Sequence, residues 1–132
     1  MAVGPVLDTD ILIDYLRGAG PGWKLVREVR GALGFRITAV TAFELALGNS
    51  YGRDPAPVDA LLAARLLTLT RDAAVRAGSL LRDLRSAGAG IDIRDAMQAG
   101  ICLEAGAPLV TRNARHFARV PELRVMQAEQ WS

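Results

Sequence analysis

The 132-residue chain carries 16 basic and 14 acidic side chains, a formal net charge of +2, and is half apolar yet only 5% aromatic. No apolar run reaches the ~18 residues of a membrane helix, and the single cysteine, Cys102, excludes an intrachain disulfide. The net charge is too small to establish a nucleic-acid partner, although the basic residues are all Arg except Lys24, which suits either phosphate pairing or a GC-rich genome.

The length fits one domain spanning residues 1–132, able to bury roughly 65–70% of its unfolded surface. The beginning of the chain lacks the basic segment and cleavage site of a signal peptide. Together with the cysteine usage, this predicts a cytoplasmic protein with no membrane association.

Val3 to Leu7 reads as a short buried strand, and Ile11, Leu12, Tyr15 and Leu16 continue at helical spacing until the GAGPG segment, residues 18–22. Trp23, Val26, Val29 and Leu33 predict a second helix ending at Gly34. FRITAV, residues 35–40, alternates as a strand, and Thr41 opens a helix through TAFELALG. YGRDPAP, residues 51–57, reads as a loop leading into a helix through Val58, Leu61, Leu62 and Arg65. LLTLT, residues 66–70, predicts a third strand, after which Thr70 caps a long helix with Ala74, Ala77, Leu81 and Leu84 on one face. SAGAG, residues 86–90, ends it. A helix from Ile93 to Glu104, a strand through APLVT (107–111), a helical turn in NARHF and a fifth strand in LRVMQ (123–127) complete the chain. Strands and helices alternating in this way predict an α/β domain whose five-stranded parallel sheet is flanked by helices on both faces.

Ligands of such sheets gather beyond the carboxyl ends of the strands. Asp8-Thr9-Asp10, Thr41 to Glu44, Asp92 to Asp95 and Thr111-Arg112-Asn113 all fall there. Each has a plain structural reading: Thr41 and Glu44 match a capping box, Asp92 and Asp95 suit a helix start, and Asp10 can cap its own helix. Jointly they do not balance. Two carboxylates ~4 Å apart repel by about 4 kcal/mol at an effective dielectric of 20, whereas a helix N-terminus returns only about 0.3–1 kcal/mol per acid. Converging acids therefore need a cation or raised pKa values. Oxygen ligands without histidine favour Mg²⁺ or Mn²⁺, and His116 with Cys102 cannot make a zinc site. A cation so held can lower the pKa of a bound water and set it in line with a phosphodiester, so metal-assisted hydrolysis is the economical chemistry.

VLDTDILIDYL, ITAVTAFELALG and GIDIRDAMQAGICLEAGAPLVTRNARHFARVPELRV resemble, in this order, the signature blocks of PIN-domain ribonucleases, and among these the VapC-type toxins of bacterial and archaeal toxin–antitoxin pairs. The resemblance implies a Mg²⁺- or Mn²⁺-dependent endoribonuclease acting on RNA, a homodimer, and a cognate VapB-type antitoxin as partner. Carried over by position, Asp8, Glu44 and Asp95 are the metal-binding acids. Asn113 stands where a fourth acid is frequent and would orient the attacking water. Thr9 and Thr111 match hydroxyl residues lining the family's site, and Asp10 would support it. Asp92, outside the Asp-x-x-x-Ala spacing from Asp95 to Ala99, reads as a cap, and His116 as structural. Phe43 and Phe117 read as core. Arg112 and Arg115 would either contact RNA phosphate at the rim or be solvated helix charges.

Two other acidic pockets fail on lysine: haloacid dehalogenase-type phosphatases and receiver domains need one late in the chain, and Lys24 is too early. The alternative in another class is a catalytically inert PIN-like binding or regulatory module. Retention of three mutually repelling acids argues against it.

Overall fold

The computed structural model describes residues 4–32 and 34–131. Five parallel strands, β1 (Val6–Leu7), β2 (Arg36–Thr38), β3 (Arg65–Leu67), β4 (Leu109–Val110) and β5 (Val125–Met126), form one sheet in the order β3-β2-β1-β4-β5. The helices are α1 (Thr9–Arg17), α2 (Pro21–Ala32), α3 (Ala39–Leu47), α4 (Asn49–Arg53), α5 (Pro55–Leu62), α6 (Arg71–Ser86), α7 (Ile93–Ala105), α8 (Ala114–Phe117) and α9 (Ala128–Trp131). The expected α/β sheet with helices on both faces is present, and among the described residues no helix is long and apolar enough to cross a membrane.

The two-residue side-chain period of a strand divides the core. Leu7, Ile37 and Val110 face one side, where they meet Ile11 and Leu12 of α1, Leu25, Val26 and Val29 of α2, Leu45 of α3, and Val58 and Leu61 of α5. Val6 and Leu109 face the other, against Leu81 and Leu84 of α6, Ala96, Ala99 and Cys102 of α7, and Phe117. Phe117 is fully buried, which ties the short α8 to the sheet; burial of such a side chain is worth about 1.5–3 kcal/mol.

Several boundaries differ from the sequence reading. Helix α1 begins at Thr9 with Asp8 as its cap, so Asp10 lies in the first turn instead of capping it. Thr38, not Thr41, caps α3 and accepts the Thr41 amide, and Glu44 lies well inside the helix instead of closing a capping box. Ala39 and Val40, read as strand, are helical. Asn49–Arg53 is a short helix where a loop was expected at residues 51–53, with Asp54 capping α5. The third strand covers 65–67 and stops short of 70, because Thr70 is committed to the Ala73 amide as the cap of α6. Arg65, expected in the preceding helix, belongs to this edge strand. The buried face of α6 is Ala73, Ala77, Leu81 and Leu84, while Ala74 is exposed. Val3 and Leu33 lie outside the described residues.

Helices α6 and α7 pack closely at Gly100. A Cβ there would sit 2.6 Å from the Ala73 carbonyl oxygen and 2.9 Å from Ala77 Cβ, with neither contact able to swing away. Gly100→Ala is expected to force these helices apart and to destabilise by about 1–3 kcal/mol in urea unfolding, despite the better helix propensity of Ala. An unchanged unfolding midpoint would refute this packing.

Candidate active site

Strand order reverses between β1 and β4, the place where open parallel sheets bind ligands. Asp8 leaves β1 at that point, its amide bonded to the Val110 carbonyl at 2.9 Å, and Thr111 leaves β4 beside it. The Asp8 carboxylate is held from three sides. Oδ1 accepts the Thr9 amide at 2.9 Å and Gln98 Nε2 at 3.1 Å, and Oδ2 accepts the Thr111 hydroxyl at 2.8 Å. Thr111 in turn accepts the Asn113 amide at 3.0 Å.

The other acids ring this carboxylate. Thr9 Oγ1 donates to Glu44 Oε1 at 2.7 Å and lies 2.9 Å from Thr41 Oγ1, which draws α3 to the start of α1. Asp95, in the first turn of α7, faces His116 Nε2 at 3.4 Å. Asp10 accepts the Arg112 amide at 3.2 Å and lies 3.3 Å from Thr111 Oγ1. Asp92 caps α7 by accepting the Arg94 amide at 2.8 Å, in agreement with the sequence reading.

Burial, followed by the charge of Asp10 and more weakly of Asp95, pushes Asp8 up from an ordinary 3.8 to about 7 against the opposing hydrogen bonds of Thr111 and Thr9. Burial also raises Asp10, against its bonds to Arg112 and Thr111. Asp95 is raised chiefly by burial; His116 lowers it, and Asp92 and Glu44 push it further up. These carboxylates therefore sense one another across a common mouth. They do not form a closed cage: among the described residues no three Asp, Glu, His or Cys side chains are gathered closely enough to enclose a metal ion. The donor set nevertheless fits Mg²⁺ or Mn²⁺. It is all oxygen, no cation among the described residues offsets the charge of Asp8, and Mg²⁺ keeps several waters while using only one or two carboxylates plus substrate phosphate.

The remaining residues divide. Asn113 is exposed at the start of α8 and its side chain makes no capping bond. Arg115 is exposed two residues on. Arg112, considered for RNA contact, instead directs Nη1 to Asp14 Oδ1 at 2.8 Å, so its charge is already engaged. His116, read as structural, lies against Asp95. Phe43, read as core, is 57% exposed, because Val40, Thr41 and Leu45 form the buried face of α3 and Phe43 points the other way. With Ala39, Val40, Leu69, Arg94 and Met97 it lines a groove of about 240 Å³ beside the acidic mouth.

Gln98, Thr38, Asp14 and Arg94 escaped the sequence reading. Gln98 is 1% exposed, accepts the Thr38 hydroxyl and donates to Asp8 and to Thr41 Oγ1, the latter at 3.2 Å. A signal for it exists: it is the one polar residue in the AMQAGICL stretch, three positions after Asp95 and so on the same helical face. Arg94 sets its guanidinium 3.7 Å from Glu44 and 3.5 Å from Asp92, a half-exposed cation at the mouth.

The PIN domain family model matches residues 6–123. A curated relative, Ribonuclease VapC19 of Mycobacterium tuberculosis, is 33% identical over 120 residues, covering 89% of this chain and 95% of its own. Among solved structures, the DNA-bound VapBC of Salmonella typhimurium superposes with a TM-score of 0.79 at 22% identity, over 96% of this chain and 99% of the other. VapBC-1 of nontypeable Haemophilus influenzae gives 0.77 at 22% identity, over 94% and 97%. VapBC-5 of Mycobacterium tuberculosis gives 0.70 at 20% identity, over 96% and 99%. These structural likenesses carry the fold, while the family match and the extent of sequence identity carry descent: the chain belongs to the PIN-domain family and, within it, to the VapC group.

Proposed function

We propose that this chain is a divalent-metal-dependent endoribonuclease acting as the toxin of a type II toxin–antitoxin pair, with residues 1–132 as its single PIN domain. The observation that carries the chemistry is Asp8, held by hydrogen bonds from Thr9, Gln98 and Thr111 yet pushed up to about 7 by burial and nearby acids. A carboxylate fixed so firmly and compensated so poorly is poised for a cation. Membership of a ribonuclease-bearing group supplies the substrate class.

Asp8, Glu44 and Asp95 would hold Mg²⁺ or Mn²⁺, which when bound neutralises phosphodiester charge and acidifies water. The chain's own residues do the rest. Thr9 and Thr111 fix the carboxylates by their hydroxyls, and Asp10 supports Thr111 and the loop after β4. Asn113, exposed beside that loop, orients the attacking water through its amide. Arg115 offers an exposed guanidinium group to RNA phosphate, whereas Arg112 acts structurally through Asp14 and Arg94 is paired with Glu44 and Asp92. A VapB-type antitoxin would cover the acidic mouth with a basic side chain, most simply Arg, standing where the cation binds. The toxin would act in the cytoplasm as a homodimer.

The test is cleavage of mixed cellular RNA in Mg²⁺ or Mn²⁺. Cleavage is expected, is lost in EDTA, and returns when excess metal is restored. Cleavage indifferent to EDTA would overturn the metal-dependent reading. An RNA pool left intact, combined with no measurable Mn²⁺ binding, would favour the inert module.

A further inference from the structure

The hydrogen bonds behind the acidic mouth have directions that chemistry settles. Thr38 Oγ1 accepts the Thr41 amide, so its hydroxyl proton is free to donate, and it points to Gln98 Oε1. With its carbonyl so engaged, Gln98 presents both N–H groups on the opposite side, one to Asp8 Oδ1 at 3.1 Å and one to Thr41 Oγ1 at 3.2 Å. Thr41, accepting from Gln98, must donate onward to Thr9 Oγ1 at 2.9 Å. Thr9, accepting from Thr41, donates to Glu44 Oε1 at 2.7 Å. Every proton then has one place to go. The chain starts at the cap of α3, branches at Gln98, and ends with a donor on each of two carboxylates carried by different elements. Among the described residues no buried side-chain polar atom in the molecule lacks a partner.

We infer that Gln98 is a positioning residue that sets the direction of this chain, so that Asp8 and Glu44 are aimed and kept as acceptors together. The inference rests on the proposal that these two carboxylates bind the metal. Gln98 itself is 1% exposed, behind Asp8, and reaches the mouth only through its bonds to Asp8 and Thr41. Its packing and its polarity can be separated experimentally. Methionine has nearly the same length and volume but neither donates nor accepts comparably, so Gln98→Met preserves packing and removes both branches. Gln98→Glu keeps the length but replaces the two-donor amide by a carboxyl group, which when protonated restores at most one branch and when ionised neither.

The experiment is calorimetric titration of Mn²⁺ into the folded, full-length chain, with no RNA present. Melting temperature and circular dichroism check that each variant folds. Wild type is expected to bind and Asp8→Asn to bind far more weakly, which tests the metal reading by itself. Gln98→Met is expected to bind about 10–100-fold more weakly than wild type, the range found when hydrogen-bond partners of metal ligands are removed. Gln98→Glu is expected to be at least as impaired. Thr41→Val should weaken binding in the wild-type background through loss of the Glu44 branch, and should add little in the Gln98→Met background, where that branch is already cut. A residue that merely fills space would show none of this non-additivity.

If wild type binds Mn²⁺ through Asp8 while Gln98→Met binds equally well, the inference is overturned and the metal reading stands. Full additivity of Thr41→Val with Gln98→Met would likewise remove the directed chain. Failure of wild type to bind Mn²⁺ would remove the metal reading and this inference with it. Should Gln98→Glu fail to fold, Gln98→Met and the cycle with Thr41→Val still decide the matter.

Discussion

Asp8→Asn is expected to abolish RNA cleavage while making the metal-free protein more stable at pH 8. The two effects have one origin. The native fold spends free energy on keeping an acid at the end of β1, where burial and Asp10 push it up to about 7. With Asp8 as a proposed metal ligand, its loss forfeits several kcal/mol of transition-state stabilisation, so cleavage should fall by about 100- to 10,000-fold. The stability term has the opposite sign. Between pH 4 and pH 7 the native state holds the Asp8 proton that the unfolded chain, with its ordinary value of 3.8, has already released. The native state binds more protons there, so stability is full at low pH and declines as pH rises through about 7, by about 2–4 kcal/mol from this group.

Asparagine removes that decline without breaking the network. Its amide oxygen can accept from Thr9 and Gln98, and its NH₂ can donate to Thr111, whose hydroxyl then turns to Asp10, already 3.3 Å away. Urea unfolding of metal-free protein from pH 5 to pH 8 should show wild type weakening and Asp8→Asn weakening much less. Some slope remains, since Asp10 and Asp95 are raised as well. On the proposed site, saturating Mn²⁺ should stabilise wild type most at high pH, since a cation would bind the ionised carboxylate. A variant that cleaves RNA like wild type would contradict the site. One that unfolds with the wild-type pH profile would contradict the electrostatics.

Most of the architecture was legible because it rests on short-range signals. Apolar runs ending in polar caps marked β1, β4 and α6, and the GAGPG segment marked the break between α1 and α2. Errors of one to three residues arose where one side chain could serve two neighbouring roles. Both Asp8 and Asp10 suit a helix start, and only the β1–β4 pairing, which ends the strand at Leu7, decides for Asp8. The threonines of ITAVT pose the same choice, settled for Thr38 by its pairing with Leu67. In the candidate site the acids stood out because charge at the end of an apolar strand is conspicuous. Gln98 did not: an uncharged amide on a helix normally faces water, and its partners Thr38 and Thr41 lie 60 and 57 positions away. Phe43 was misplaced by composition, since the rotation of α3 about its axis is set by Thr41 and Leu45.

A second large effect is expected behind the acidic mouth, where Asp14 meets Arg112. Asp14→Ala should destabilise by about 2–4 kcal/mol, equivalent to a melting temperature lower by roughly 10 °C in a domain of this size. The Asp14 side chain is only 6% exposed. Its Oδ2 accepts the Gly22 amide at 3.0 Å, which satisfies a donor in the first turn of α2, and its Oδ1 accepts Arg112 Nη1 at 2.8 Å. One carboxylate thus joins α1, the start of α2, and the loop that carries Thr111 and Asn113. The glycines around it leave no slack. A Cβ at Gly22 would lie 2.5 Å from the Ile11 carbonyl oxygen, and one at Gly20 would lie 2.7 Å from Asp14 Oδ2. Truncation to alanine strands the Gly22 amide and frees Arg112 into solvent. Arg112→Ala leaves the carboxylate buried with only the Gly22 amide, an uncompensated charge that is costly in its own right. The double variant should therefore lose less than the two single losses added, by about 1–2 kcal/mol, because the second change removes a partner that the first has already isolated. Simple additivity in urea unfolding would mean that the pair is held only by its surroundings. A coupling of the expected size would instead place the anchor of the loop after β4 in an ion pair between residues 98 positions apart.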